Sequence, residues 1–235
     1  MNRKGGIRFT RGLKVWLLDQ RYHLIGRYKP KVFCIGLSNT KSSILSKTLE
    51  REGIKIGNCE AIQSLLKMYT SQNIDRIVDH CNTAQAFIGV PFSIPSIYQY
   101  LNDAFPSAKF ILTTIGSGEE WFKSCENTAI YRFGKVPSLN DFKKYRYSCY
   151  GWSYESHQAL FGEGTEFDDA ETKIEIYDQH IENAKAYFDR QPDRLLVVNM
   201  HKESAFREIC EFLRLKTRYD GFPIVHHKGK GGQYL

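Results

Sequence analysis

Lys31–Glu50, KVFCIGLSNTKSSILSKTLE, decides the reading of this chain, because it passes from a buried strand through a polar turn into an amphipathic helix. Val32, Phe33, Cys34 and Ile35 are apolar and partly β-branched, and they end at Gly36. Beyond the turn, Ile44, Leu45, Thr48 and Leu49 recur at helical spacing, with Lys47 and Glu50 between them. Gly36 is followed by Ser38, Asn39, Thr40, Lys41, Ser42 and Ser43, a run of small donors with one ammonium. Unpaired N–H groups at a helix start, together with the helix dipole, favour an anion there. The stretch reads as a phosphate cradle. Ser42 and Ser43 have two readings, phosphate contact or helix cap, since Ser is a favoured N-cap residue.

The cradle is not a regular triphosphate loop. The pattern G-x-x-x-x-G-K-[ST] needs Gly and then Lys at its sixth and seventh places. Counted from Gly36, those places hold Lys41 and Ser42. Such enzymes also hold magnesium partly through an acidic residue at the end of a neighbouring strand. The other strand-like runs, AFIGV (Ala86–Val90), KFILTT (Lys109–Thr114) and RLLVVNM (Arg194–Met200), carry no carboxylate. Hydrolysis of ATP or GTP is disfavoured on both counts.

From these residues the chain resembles the sulfotransferase family. GLSNTKSS (Gly36–Ser43) looks like a variant of the family's G-[FLY]-x-[KR]-[ST]-G-T-[TS] loop. PSIYQYLNDAFPSAKFILTTIGSGEEWFKS (Pro95–Ser124) is similar to its second landmark, a Lys-started strand followed by Trp and Ser. YDQHIENAKAYFDRQPDRLLVVNM (Tyr177–Met200), then ICEFLRL and FP, resembles the family's ending. The likeness runs in order from about Lys31 to Pro223.

The resemblance implies an α/β fold of the P-loop type, with a mostly parallel sheet covered by helices. It implies a sulfuryl donor, 3′-phosphoadenosine 5′-phosphosulfate (PAPS), a hydroxylated acceptor and no metal. Its donor-binding positions correspond here to Ser38, Asn39, Thr40, Lys41, Ser42 and Ser43, with Ser124 for the 3′-phosphate. Lys228 and Lys230, in the tail HHKGKGG (His226–Gly232), stand where many relatives grip the nucleotide. Lys41 is the candidate catalytic cation and His80 the candidate base, with His157 as another histidine to weigh. The chain departs from the family at functional places. Asn39 replaces the loop cation, Lys41 the second Gly, Gly89 an acid, Ile115 an arginine and Gly116 an acid or amide. The alternative function is therefore a catalytically impaired, sulfotransferase-like binding protein.

The 235 residues suit one α/β domain, read as residues 31–235 after a basic segment, 1–30. Hydrophobic residues make up 42%, without any run near the ~20 apolar residues of a membrane span. The basic segment interleaves Arg and Lys with Trp16, Leu17 and Tyr22, which suits a membrane surface, and it lacks a secretory h-region. The six cysteines form no C-x-x-C pair and no zinc spacing, so a reduced, cytoplasmic protein without a metal site is expected. A net charge of +7 suits an anionic partner. No nucleic-acid-binding signature accompanies it.

Further helices are expected near Glu60–Tyr69, Asn73–Cys81, Ser96–Ala104, Glu119–Tyr131, Glu171–Arg190 and Glu203–Leu213. On the long one, Ile174, Tyr177, His180, Ile181, Ala184, Tyr187 and Phe188 form an apolar stripe. FKKYRYSCYGWSYESHQALF (Phe142–Phe161) is the candidate acceptor segment, since Tyr145, Tyr147, Tyr150, Trp152 and Tyr154 combine apolar faces with polar tips. Core packing is its other reading.

Overall fold

The apolar runs form four strands, β1 (Val32–Cys34), β2 (Ala86–Ile88), β3 (Lys109–Thr114) and β4 (Leu195–Asn199). They make one parallel sheet in the order β2-β1-β3-β4. The structure, a computed structural model, describes residues 11–24, 28–57, 62–146 and 150–224. Around the sheet stand α1 (Arg11–Leu24), α2 (Ser42–Arg51), α3 (Ile62–Thr70), α4 (Ile74–His80) and α5 (Ile97–Ala104). The later helices are α6 (Gly118–Phe133), α7 (Leu139–Lys144), α8 (Trp152–Phe161), α9 (Ala170–Phe188) and α10 (Ala205–Phe212). Among the described residues no helix is long and apolar enough to cross a membrane.

Period-two alternation explains why β1 is apolar throughout. Val32 and Cys34 join a core with Leu45, Leu49, Ile111, Trp121, Tyr177 and Ile209. Phe33 and Ile35 join another with Ile77, Ile97, Leu101, Phe110, Leu112, Ala184 and Phe188. Both sheet faces are thus covered, and the polar side chains of β3 that are buried there, Thr113 and Thr114, are hydrogen-bonded.

From β1 the chain passes first to β2 on one side, then crosses back to β3 on the other. Such a reversal opens a crevice beyond the carboxyl ends of the strands. The segment Gly36–Lys41 lies there, leading from β1 into α2. The strand stops at Cys34, one residue short of the apolar run that ends at Ile35. Ile35 still donates to Ile111 O at 2.9 Å, but at Gly36 the backbone closes on β3. A Cβ on Gly36 would sit 2.5 Å from Thr113 O and 2.8 Å from Thr113 N. Gly36→Ala is therefore expected to cost about 3 kcal/mol, the upper range for overpacking, read as a lower urea midpoint.

The basic lead segment is not free of the domain where it is described. Tyr22 of α1 is buried and donates to Asn82 O at 2.6 Å, and Asp19 pairs with Lys55. Trp16 and Leu17 remain exposed on its outer side. The segment Leu139–Phe161 divides into α7 and α8.

Candidate functional site

The loop between β1 and α2 is fixed from beneath, residue by residue. His180 of α9 shares a 2.7 Å hydrogen bond with Ile35 O through Nε2. Thr40 is fully buried; its hydroxyl donates to Leu37 O at 2.7 Å and meets the Thr113 hydroxyl at 2.6 Å. Trp121 Nε1 donates to Ser38 O at 2.8 Å, and Asn39 Nδ2 donates to Cys125 Sγ at 3.2 Å. Trp121 and Cys125 lie one turn apart on α6, so one helix face holds two consecutive loop residues. Trp121 in turn stacks on Tyr177 of α9, with ring centroids 4.7 Å apart.

What stays outward is the helix start. Asn39 and Lys41 have φ of 66° and 58°, the left-handed region that non-glycine residues adopt at a cost. Lys41 is the N-cap residue of α2 and gives no side-chain cap. Ser42 and Ser43 are the first two helical residues, so they contact an anion or solvent rather than cap. Ile44 N–H bonds Lys41 O at 3.0 Å, while the N–H groups of Ser42 and Ser43 have no acceptor among the described residues. Lys41 is exposed, and its ammonium has no partner among the described residues. The neighbouring helix start is closed. Ser117 and Glu120 form a capping box on α6, with Ser117 N–H 3.0 Å from Glu120 Oε2. Of these two helix starts, α2 is the one left open to an anion.

The structure brings together Ser38, Asn39, Thr40, Lys41, Ser42 and Ser43, with Thr40 turned into the core. Ser124 is half-buried on α6, beside Cys125, and so adjoins the loop's supports. Lys228 and Lys230 lie outside the described residues. His80 is not brought to the site. It ends α4, edge-on to Phe87 at 6.0 Å, and leads into the amino end of β2, opposite the loop. His157 is buried between Phe142 and Phe161, with Nε2 2.9 Å from Thr165 O. Burial, and then the nearby Lys173 charge, push its pKa down to about 4. His157 is a packing residue.

At two of the places where the resemblance expects a charged or polar group, the structure shows a packing constraint instead. Ile115 is 2% exposed and belongs to the apolar core, with its N–H 3.4 Å from the Tyr177 hydroxyl. Gly116 has φ of 119°, a conformation in which a side chain would be strained. The end of β3 is thus built for packing, and it offers no cation to a phosphate.

Behind the loop lies a lysine that the sequence reading does not single out. Lys173 of α9 is 2% exposed; Nζ donates to Phe167 O at 2.8 Å and lies 4.0 Å from the Phe167 ring centroid and 5.0 Å from that of Phe161. Burial lowers its pKa to about 8, partly offset by Cys125, Asp169 and Asp168. A folded-state pKa below the unfolded one means that the unfolded chain binds more protons between these values. Stability should therefore rise as pH goes from about 8 towards 10.5, by roughly 2–3 kcal/mol from this group. Urea melts across that range, compared with Lys173→Met, check it. The variant should lack this increment.

The acceptor segment is mostly packing as well. Phe142 is buried, Trp152 and Tyr154 pack against the core, and Tyr150 is 67% exposed; Tyr147 lies outside the described residues. Only its end, Leu160 and Phe161, lines a cavity of about 310 Å3. That cavity is completed by α9, with Gln179, His180 and Asn183, and by Tyr98.

Residues 31–230 match the family described as Sulfotransferase domain. Among solved structures, the chain is similar to a sulfotransferase from Alicyclobacillus acidocaldarius, with a TM-score of 0.53 and 14% identity over 86% of this chain and 87% of that one. At that identity the likeness speaks for the fold. No curated protein matches the chain significantly.

Proposed function

The chain belongs to the sulfotransferase family, and from that premise we propose that it moves a sulfuryl group from PAPS to the hydroxyl of an acceptor. The observation that carries this reading is the open start of α2, with N–H groups at Ser42 and Ser43 that have no acceptor among the described residues and an exposed Lys41, beside an α6 start that closes on itself. Free N–H groups and a fixed cation at a helix dipole fit the 5′-phosphosulfate end of such a donor. Lys41 would neutralise the charge that collects on the leaving phosphate. Ser124 would donate to the 3′-phosphate. With Ile115 in the core, that phosphate must depend on Ser124 and on cations elsewhere, for which Lys228 and Lys230 are the proposed groups. The end of β3, with Ile115 in the core and Gly116 after it, offers it no charge.

Calorimetric titration with adenosine 3′,5′-bisphosphate tests the reading. Saturable binding by the natural protein is expected, weakened about tenfold by Ser124→Ala, the worth of one hydrogen bond to a charged group. Absence of heat in the natural protein would refute the donor assignment.

A second reading, a family member that binds without catalysis, is favoured by one observation. Asn39, at the family's cation position, has its amide N–H turned to Cys125 rather than outward. Transfer of radiolabelled sulfate from PAPS to phenols, sugars and aliphatic alcohols separates the two. Binding with transfer supports the enzyme, and binding without transfer to any of them supports the rival.

A further inference from the structure

The positive charge of this chain is concentrated at one end. Residues 1–30 hold eight Lys and Arg against a single acid, Asp19, while residues 31–235 hold 25 charges of each sign. All of the +7 excess therefore sits in the basic segment that carries α1.

The helix has two unlike sides. Tyr22 is turned inward, with its hydroxyl on Asn82 O and the Lys31 ammonium 3.0 Å from it. At about 100° of rotation per residue, Trp16, Leu17, Gln20 and Leu24 fall within an arc of about 100° on the side opposite Tyr22. All four are exposed there, Trp16 to 56% and Leu24 to 73%. Large apolar side chains gathered on one helix face mark an interaction surface, whereas single ones scattered over a protein do not. The one acid does not oppose an anionic partner, because Asp19 lies off this arc and pairs with Lys55 of the domain.

We propose that α1 docks the protein on an anionic lipid surface. Trp16, Leu17 and Leu24 enter the headgroup boundary, and the Lys and Arg residues of the segment meet the acidic headgroups. At 14 residues, about 21 Å, the helix is too short to span the ~30 Å hydrocarbon core, so it lies in the plane of the interface. A second copy of this chain would bring the same positive charge to the face and be repelled; an anionic bilayer supplies both negative charge and an apolar layer. The contacts that hold α1, to Glu52 O, Lys55 and Asn82 O, lie towards the amino ends of β1 and β2. The loop Gly36–Ser43 leaves the carboxyl end of β1. Docking through α1 therefore leaves that loop uncovered, and the inference does not depend on what the loop binds.

The test is sedimentation of the full chain with sucrose-loaded vesicles of phosphatidylcholine, alone or with about one third phosphatidylserine. Partitioning is expected to be at least about tenfold stronger on the anionic vesicles and to fall as salt rises, because screening removes the charge contribution. Trp16→Ala combined with Leu24→Ala should weaken it at least about tenfold, since each large apolar side chain taken out of water is worth about that factor. Both residues are exposed, so the double variant should melt at the temperature of the natural protein. Phosphatidylcholine brominated in its acyl chains, mixed into the anionic vesicles, should quench a part of the natural protein's fluorescence that the double variant lacks. Failure to sediment with the anionic vesicles, or equal binding to the neutral ones, would overturn the proposal. Charge-dependent binding that the double variant retains in full would show a basic segment drawn to any acidic surface, protein or lipid, and would overturn the docking face. A natural protein that is a dimer by analytical ultracentrifugation, and a monomer once Trp16 and Leu24 are replaced, would overturn it too, because a second copy would then cover that face.

Discussion

Ile115→Arg is expected to unfold the protein, although arginine is what the family resemblance suggests at that place. The side chain is 2% exposed and packs in the core beside Trp121 and Tyr177. A guanidinium there would be desolvated, and the nearby Glu120 carboxylate is already engaged in the capping box of α6, so the cost is about 5 kcal/mol for a poorly paired buried charge. Domains of this kind have only about 5–15 kcal/mol in hand. Circular dichroism should show a large fall in melting temperature or no folded protein at all. A folded Ile115→Arg protein with tighter bisphosphate binding would show that the end of β3 can turn its side chain to a ligand, contrary to this packing.

Lys41→Gly is expected to move stability and function in opposite directions. With φ of 58°, Lys41 sits where L side chains are strained by about 1 kcal/mol, and glycine removes that strain. The melting temperature should rise by a few degrees, since 1 kcal/mol is worth about 2–4 °C in a chain of this size. The same change deletes the exposed cation at the α2 start. If the leaving phosphate depends on it, transfer falls about 100- to 1000-fold. Thermal melts and single-turnover transfer on one preparation give both numbers. Unchanged transfer by the stabilised variant would remove Lys41 from the chemistry and leave its strain without a function.

Much of the fold was legible because its strands are short, wholly apolar and followed by strong turn or helix signals. KFILTT became β3 with its expected bounds, and the long helix expected over Glu171–Arg190 became α9 (Ala170–Phe188). Less of the candidate site could be read. Helical spacing placed His180 on the buried stripe, but only the tertiary contact with Ile35 O reveals that it holds the loop. Lys173 could have been found. It falls four residues before Tyr177 and seven before His180, in register with Ala184 and Phe188, so a lysine stood on the apolar face in plain sequence. Ile115 was the opposite case. A motif alignment put it at a phosphate position, whereas strand alternation and the packing of Tyr177 decide that it points inward.

The pinning of Ile35, Ser38, Asn39 and Thr40 to α9, α6 and β3, with Leu37 O tied to the Thr40 hydroxyl within the loop, has a consequence for the thermodynamics of association. A loop that is disordered when free must surrender backbone entropy as it closes on a phosphate, at about 1–2 kcal/mol for each residue fixed. Here that entropy is already gone when the chain folds. A ligand arriving at the α2 start meets a finished surface, so its gain in contact energy is hardly offset by ordering of the protein. Binding should leave the amide hydrogen exchange of these five residues nearly unchanged, and the association rate should follow diffusion and charge rather than a slow rearrangement of the loop.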